Sequence, residues 1–121
     1  MIQGGLPTIY VSDMERAVRF YVDLLGLGLR FRAGDGWAEI DAGQGLVLGL
    51  HSTHPGGPEA GKSGSISIGF GVTEPLEAEV ARLSAAGVVF RGPIVDADVV
   101  RLAFFGDPDG NDLYLSESKL G

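Results

Sequence analysis

The side chains of this sequence able to hold or transform a small molecule are few, and their spacing sorts them. Trp37, the only tryptophan, lies on an alternating stretch with Glu39 and Asp41, so one strand face carries an aromatic body beside two carboxylates. That combination suits a flat or cationic ligand. An ordinary packing or dimer-interface tryptophan is the competing reading. His51 and His54 are the only histidines. Residues three apart on a strand face opposite sides, so the pair converges only through an irregular turn. It reads as a solvated strand end, with His51 alone a candidate for the edge of a pocket. Arg101 interrupts the apolar run 99–105, where a guanidinium either anchors a ligand anion or pairs with a nearby carboxylate. Gly56-Gly57-Pro58-Glu59-Ala60-Gly61-Lys62-Ser63 matches the phosphate-loop pattern, whose chemistry requires a helix immediately after the loop. Here Ser65-Ile66-Ser67-Ile68-Gly69-Phe70 follows and alternates like a strand, so the segment reads as a flexible linker.

These residues must be positioned by a core, and 121 residues with 45% apolar content supply one. The absence of cysteine removes disulfides, thiolate zinc sites and iron–sulfur clusters. A formal net charge of -7 without a basic stripe argues against nucleic acid and favours cationic over anionic ligands. No apolar stretch spans a bilayer, and Met1-Ile2-Gln3-Gly4-Gly5 does not read as a secretory signal. A cytoplasmic address is expected, with no membrane partner.

The chain repeats itself once. Val11-Ser12-Asp13 superposes on Val72-Thr73-Glu74, and the same shift puts Ala17 on Ala78 and Gly26 on Gly87. Each copy runs strand, Ser/Thr cap, helix, glycine stop, then three strands. In the first, Ile9 and Val11 alternate with Thr8 and Tyr10. Ser12 is the expected cap, and Met14, Val18, Tyr21 and Leu25 form the apolar stripe. In the second, Thr73 is the expected cap and Pro75 an early helical residue, with Leu76, Val80 and Leu83 buried. Strands are expected over 27–31, 37–41 and 46–51, and again over 88–91, 99–105 and 113–116. The modules cover about 1–52 and about 65–121, joined by a linker at about 53–64, within a single domain 1–121.

Two motifs carry a resemblance. Val11-Ser12-Asp13-Met14-Glu15-Arg16-Ala17-Val18-Arg19-Phe20-Tyr21 through Leu25-Gly26, and the closing turn Phe105-Gly106-Asp107-Pro108-Asp109-Gly110-Asn111, resemble the signatures of the vicinal oxygen chelate superfamily. Glyoxalases, bleomycin-resistance proteins and extradiol dioxygenases belong to that group. The resemblance implies an α+β fold of two βαβββ modules forming an eight-stranded incomplete barrel with a concave cleft. Metal-using relatives hold a divalent ion with four strand residues, which fall here on Leu6, Ser67, Tyr114 and a position near Leu48. That set has too few donors for a catalytic ion, so no metal and no cofactor are expected. With Leu6, Ser67 and Tyr114 facing the cleft, strand parity adds Thr8 and Tyr10, while Gly69 and Gly71 leave room beside them.

Tyr10, Trp37, His51, Arg101 and Tyr114 are the expected ligand-binding residues. They suggest a metal-free binding protein for an aromatic or cationic small molecule, and the resemblance implies sequestration of a ligand such as an antibiotic by a homodimer. The alternative is a glyoxalase-like lyase or isomerase, or a dioxygenase. It would use either metal ligands at other positions, or Tyr10, Glu39 or His51 as general acid or base. A scaffold kept only for dimerisation is a third reading.

Overall fold

The computed structural model describes residues 1, 3–63 and 66–120. Gly64 and Ser65, expected at the junction of linker and second module, lie outside the described residues, as do Ile2 and Gly121. The chain divides into two compact units, Met1–Gly61 and Lys62–Gly121. Each has the order strand, helix, three strands, and each forms its own four-stranded sheet.

In the first unit β1 (Thr8–Val11) leads into α1 (Met14–Val18), followed by β2 (Gly28–Ala33), β3 (Trp37–Gly43) and β4 (Leu46–Ser52). The sheet order is β1-β4-β3-β2, with β1 parallel to β4 and the other pairs antiparallel. Side-chain alternation decides the core. Ile9, Val11, Ala38, Ile40, Leu48 and Leu50 are buried beneath the helix, against Met14, Ala17, Val18, Phe20 and Tyr21. Leu48 therefore belongs to the core, and the neighbouring Gly49, paired with Thr8 and Glu39, faces the other way.

Two local expectations are corrected. The helix cap is Asp13, not Ser12: Asp13 is extended and its Oδ1 accepts from the Arg16 backbone N–H at 3.0 Å. Ser12 Oγ instead accepts from the Arg16 guanidinium at 2.9 Å. Beyond α1 the chain widens into a π-helical stretch, Arg19–Leu24, closed by Leu25 N donating to Phe20 O at 3.0 Å. The wider turn shifts the buried face. Phe20 joins Tyr21 in the core, and Leu25 is only half-buried. Gly26 ends the helix with φ 78°, as a left-handed stop requires.

In the second unit β5 (Ser67–Gly71) precedes α2 (Leu76–Ala85), β6 (Val95–Asp96), β7 (Val100–Gly106) and β8 (Asp112–Ser118), in sheet order β5-β8-β7-β6. Leu76, Leu83, Val88, Ala103, Phe105, Leu113 and Leu115 are buried. The expected strand at 88–91 does not form. Phe90 makes one isolated bridge to Phe105, Gly92 has φ 80°, and the sheet ends instead on the two-residue β6. Thr73 is not the cap of α2. Pro75 occupies that position without a side-chain bond, and Glu117 Oε2 on β8 accepts from the Leu76 N–H at 2.9 Å.

The closing turn explains its own sequence. Asp107 is buried, and its carboxylate accepts from the backbone N–H of Asp109 at 3.1 Å and of Asn111 at 2.8 Å, and from Asn111 Nδ2 at 2.8 Å. Gly110 takes φ 90° to complete the turn.

Candidate functional site

The face of the first sheet turned away from α1 collects the chemistry. Direct cross-strand partners point to the same side, so the pairings Tyr10 with His51, Trp37 with His51 and Glu39 with Gly49 put all five residues on it. Tyr10 and His51 have ring centroids 5.2 Å apart, and Trp37 and His51 6.2 Å apart in an edge-on arrangement. Trp37 Nε1 donates to Glu39 Oε2 at 3.0 Å, and Glu39 Oε1 lies 3.6 Å from Arg30 Nε. The indole can lie flat on the strand because residue 49 has no side chain. A Cβ there would stand 2.8 Å from Leu6 Cδ1, 3.0 Å from Trp37 Cζ2 and closer still to Trp37 Cη2. A glycine in an otherwise bulky strand, diagonal to a tryptophan on the next strand, was the available signal for this packing, and sequence reasoning missed it.

His54 also belongs here, against the reading of the two histidines as diverging. β4 stops at Ser52, and a turn closed by Gly57 N donating to His54 O at 3.0 Å swings the ring back. Its centroid comes to 5.8 Å from that of His51, and its imidazole occupies the space over Gly57 where a Cβ would sit. His51 Nδ1 is 2.7 Å from the Ser52 carbonyl. A carbonyl only accepts, so Nδ1 carries the proton and Nε2 the lone pair.

The second unit holds the other expected residues. Tyr114 pairs across β7 and β8 with Phe104, the rings 5.8 Å apart, on the face away from α2. The room expected at Gly69 is filled by the Tyr114 phenol, whose Oη would lie 2.5 Å from a Cβ at that position. Gly71 has open space. Arg101 is on the opposite face, paired across strands with Glu117 and Asp96. Its Nη1 donates to Glu77 Oε1 and Glu117 Oε1, each at 3.0 Å, and its Nη2 to Glu77 Oε2 at 2.8 Å. Those carboxylates raise the guanidinium pKa above its ordinary value, and the bond from Arg101 lowers that of Glu77. The group ties α2 to the sheet and does not share a face with Tyr114.

The positions expected to hold a metal in metal-using relatives do not fit one. Leu6 and the β4 pair Leu48 and Gly49 have no side-chain donor, and Ser67 and Tyr114 offer neutral hydroxyls. Among the described residues, no group of three or more His, Asp or Glu is placed to hold an ion. The phosphate-loop pattern lacks its helix, since β5 follows, and Ser63 Oγ donates to Asp112 Oδ1 at 2.8 Å. An open hollow of about 400 Å³ lined by Ser12, Asp13, Met14, Glu15, Asp35 and Ser52 lies at the start of α1. Its carboxylates are committed. Asp13 caps the helix, and Glu15 and Asp35 take Arg32 at 3.2 and 2.9 Å. No helix among the described residues is long and apolar enough to cross a membrane.

Comparison with known proteins gives these surfaces a context. The family model for the Glyoxalase/Bleomycin resistance protein/Dioxygenase superfamily matches residues 5–115. A crystal structure of TnmS3, an antibiotic binding protein from Streptomyces sp. CB03234, is similar at 30% identity and TM-score 0.75, covering 98% of this chain and 97% of that one. A glyoxalase/bleomycin resistance protein from the same organism is 30% identical with TM-score 0.73, covering 93% of this chain and 98% of its own. A glyoxalase/bleomycin resistance protein/dioxygenase from Nocardioides shares the fold at 24% identity and TM-score 0.75, covering 100% and 87%. No curated protein matches the chain.

Proposed function

Since the chain belongs to the Glyoxalase/Bleomycin resistance protein/Dioxygenase superfamily, we propose that it is a metal-free binding protein that sequesters an aromatic, cationic small molecule of the antibiotic kind. The observation that carries the reading is the aromatic face of the first unit, Tyr10, Trp37 and His51, with the Glu39 carboxylate hydrogen-bonded at its edge. An indole face attracts a cation, and a carboxylate beside it adds to that attraction. The likeness to an antibiotic binding protein at 30% identity supports the same class. Tyr114 with Phe104 offers a smaller aromatic surface on the second unit. We place the protein in the cytoplasm as a homodimer. Leu29 and Phe31, 47% and 53% exposed on the outer strand β2, favour a partner along that edge.

A thermal-shift panel tests the reading, with aromatic cationic antibiotics in one arm and nickel, zinc and manganese in the other. A ligand at 100 times its Kd adds about 2.7 kcal/mol and raises the midpoint by several degrees. Stabilisation by a drug that Trp37→Ala abolishes supports sequestration; stabilisation by metals alone rejects it. A second reading, a metal-free enzyme, is favoured by the fixed tautomer of His51, whose Nε2 keeps the lone pair that a general base requires. Conversion of a bound compound, lost on His51→Phe, selects that reading.

A further inference from the structure

The aromatic face of the first unit holds an acceptor, His51 Nε2, to which no described residue donates. Its surroundings indicate what it selects. We propose that His51 Nε2 is the specificity-determining acceptor of this face, favouring flat aromatic ligands that carry an O–H or N–H at the ring edge over the same rings without one. The inference rests on the reading that this face binds an aromatic molecule.

Three observations carry it. The Ser52 carbonyl, 2.7 Å from Nδ1, fixes the proton on that nitrogen, and a neutral imidazole has no second one to give. Nε2 is therefore an acceptor, and among the described residues none donates to it. Among the described residues no buried side-chain nitrogen or oxygen lacks a partner, so Nε2 is reached by water. A ligand settling on the face must displace that water. Finally, the rings of Tyr10, His54 and Trp37 surround His51 at 5.2, 5.8 and 6.2 Å, inclined to it by 45°, 63° and 75°. A flat molecule stacked on the indole meets the imidazole with its edge, where substituents lie.

Selectivity follows from an asymmetry. A ring bearing a donor replaces the displaced water bond for bond, whereas a ring without one leaves the acceptor dry and unpaired, which is the costlier outcome. The other acceptors on the face do not compete on equal terms, and the His54 imidazole is exposed, where a bond only replaces one to water. Glu39 Oε2 already takes the Trp37 N–H, and Oε1 faces Arg30.

The test compares 2-naphthol with 2-methoxynaphthalene by isothermal titration calorimetry on the full chain at pH 8. The two probes share a ring system and differ in one donor. Naphthol is expected to bind about tenfold tighter, the worth of one hydrogen bond at a half-exposed site. In His51→Phe, which keeps a ring and removes the acceptor, the two Kd values should converge while methoxynaphthalene still binds; that binding also reports that the variant is folded. His51→Gln, which restores an acceptor, should recover part of the preference. Equal binding to the natural protein overturns the inference and leaves the aromatic face standing. A naphthol preference that survives in His51→Phe overturns it as well. Binding of neither probe overturns both this inference and the aromatic-ligand reading.

Discussion

Gly49→Ala is a single methyl group that the structure turns into a test of the whole face. The new Cβ would overlap the far edge of the Trp37 indole and stand 2.8 Å from Leu6 Cδ1. β4 is bonded on both sides, to β1 and β3, so the backbone holds and the indole moves. Its displacement breaks the bond from Nε1 to Glu39, worth about 1 kcal/mol. It also loosens the edge contact with His51, worth about another 1 kcal/mol if it behaves as aromatic pairs do. Against these stands the replacement of a strand glycine by alanine, which gains about 0.5–1 kcal/mol in backbone entropy. The net is a loss of about 1 kcal/mol, a fall of roughly 3–6 °C in melting temperature for a chain of this length. A double-mutant cycle isolates the cause. In a Trp37→Ala background only the flexible end of Leu6 opposes the methyl, so Gly49→Ala should become neutral or stabilising by about 0.5 kcal/mol. Urea unfolding followed by far-ultraviolet circular dichroism measures all four proteins, including those without tryptophan. A coupling below about 0.5 kcal/mol, the usual limit for independent sites, would refute the claim that residue 49 is glycine because the indole lies on it.

Asp107→Ala should cost about 1–3 kcal/mol in the same assay, because it leaves two backbone N–H groups and the Asn111 amide without their acceptor in a half-buried turn. Acid should weaken the second unit by a route that Arg101 controls. Arg101 lowers the Glu77 pKa from its ordinary 4.5, and the Lys119 ion pair lowers that of Asp96 from 3.8. Carboxylates lowered in this way contribute stability that is full above those ordinary values and is lost as pH falls through the folded ones. Melting temperatures from pH 7 to pH 3 should therefore decline more shallowly below about 4.5 in Arg101→Met than in the natural protein. Trp37→Ala, read by calorimetry, should abolish binding of any drug that stabilises the natural protein, while Arg101→Met should leave it unchanged.

Much of this architecture was legible because short-range physics writes it. The period-two alternation around Ile9 and Val11, the glycine stop at Gly26 and the Asp-Pro-Asp-Gly-Asn turn each need only their neighbours to be understood. What escaped was set from far away. The residues 88–91 read as a strand by composition, yet they make a single isolated bridge, Phe90 to Phe105, since Gly92 and Pro93 turn the chain before a ladder forms. No local pattern announces that Glu117 caps α2. Arg101 was ambiguous for the same reason, its partners Glu77 and Glu117 lying on other elements. Within the site, parity placed Tyr10 and Trp37 on the face that carries them. It misjudged His54, because a turn after Ser52 undid the alternation on which parity depends. It also left Leu48 near a ligand position, where a step of one residue exchanges a core leucine for Gly49.

The opening strand of each unit pairs only with its last: β1 lies alone against β4, and β5 alone against β8. Thr8 meets Gly49 and Ser67 meets Asp112, so each closure spans roughly forty residues and forms late, after the hairpins between them, because such contacts carry the largest loop entropy. On the ribosome, Ile9 and Val11 emerge first and wait for the rest of the unit. That interval leaves an apolar strand with both edges bare until β4 has been made.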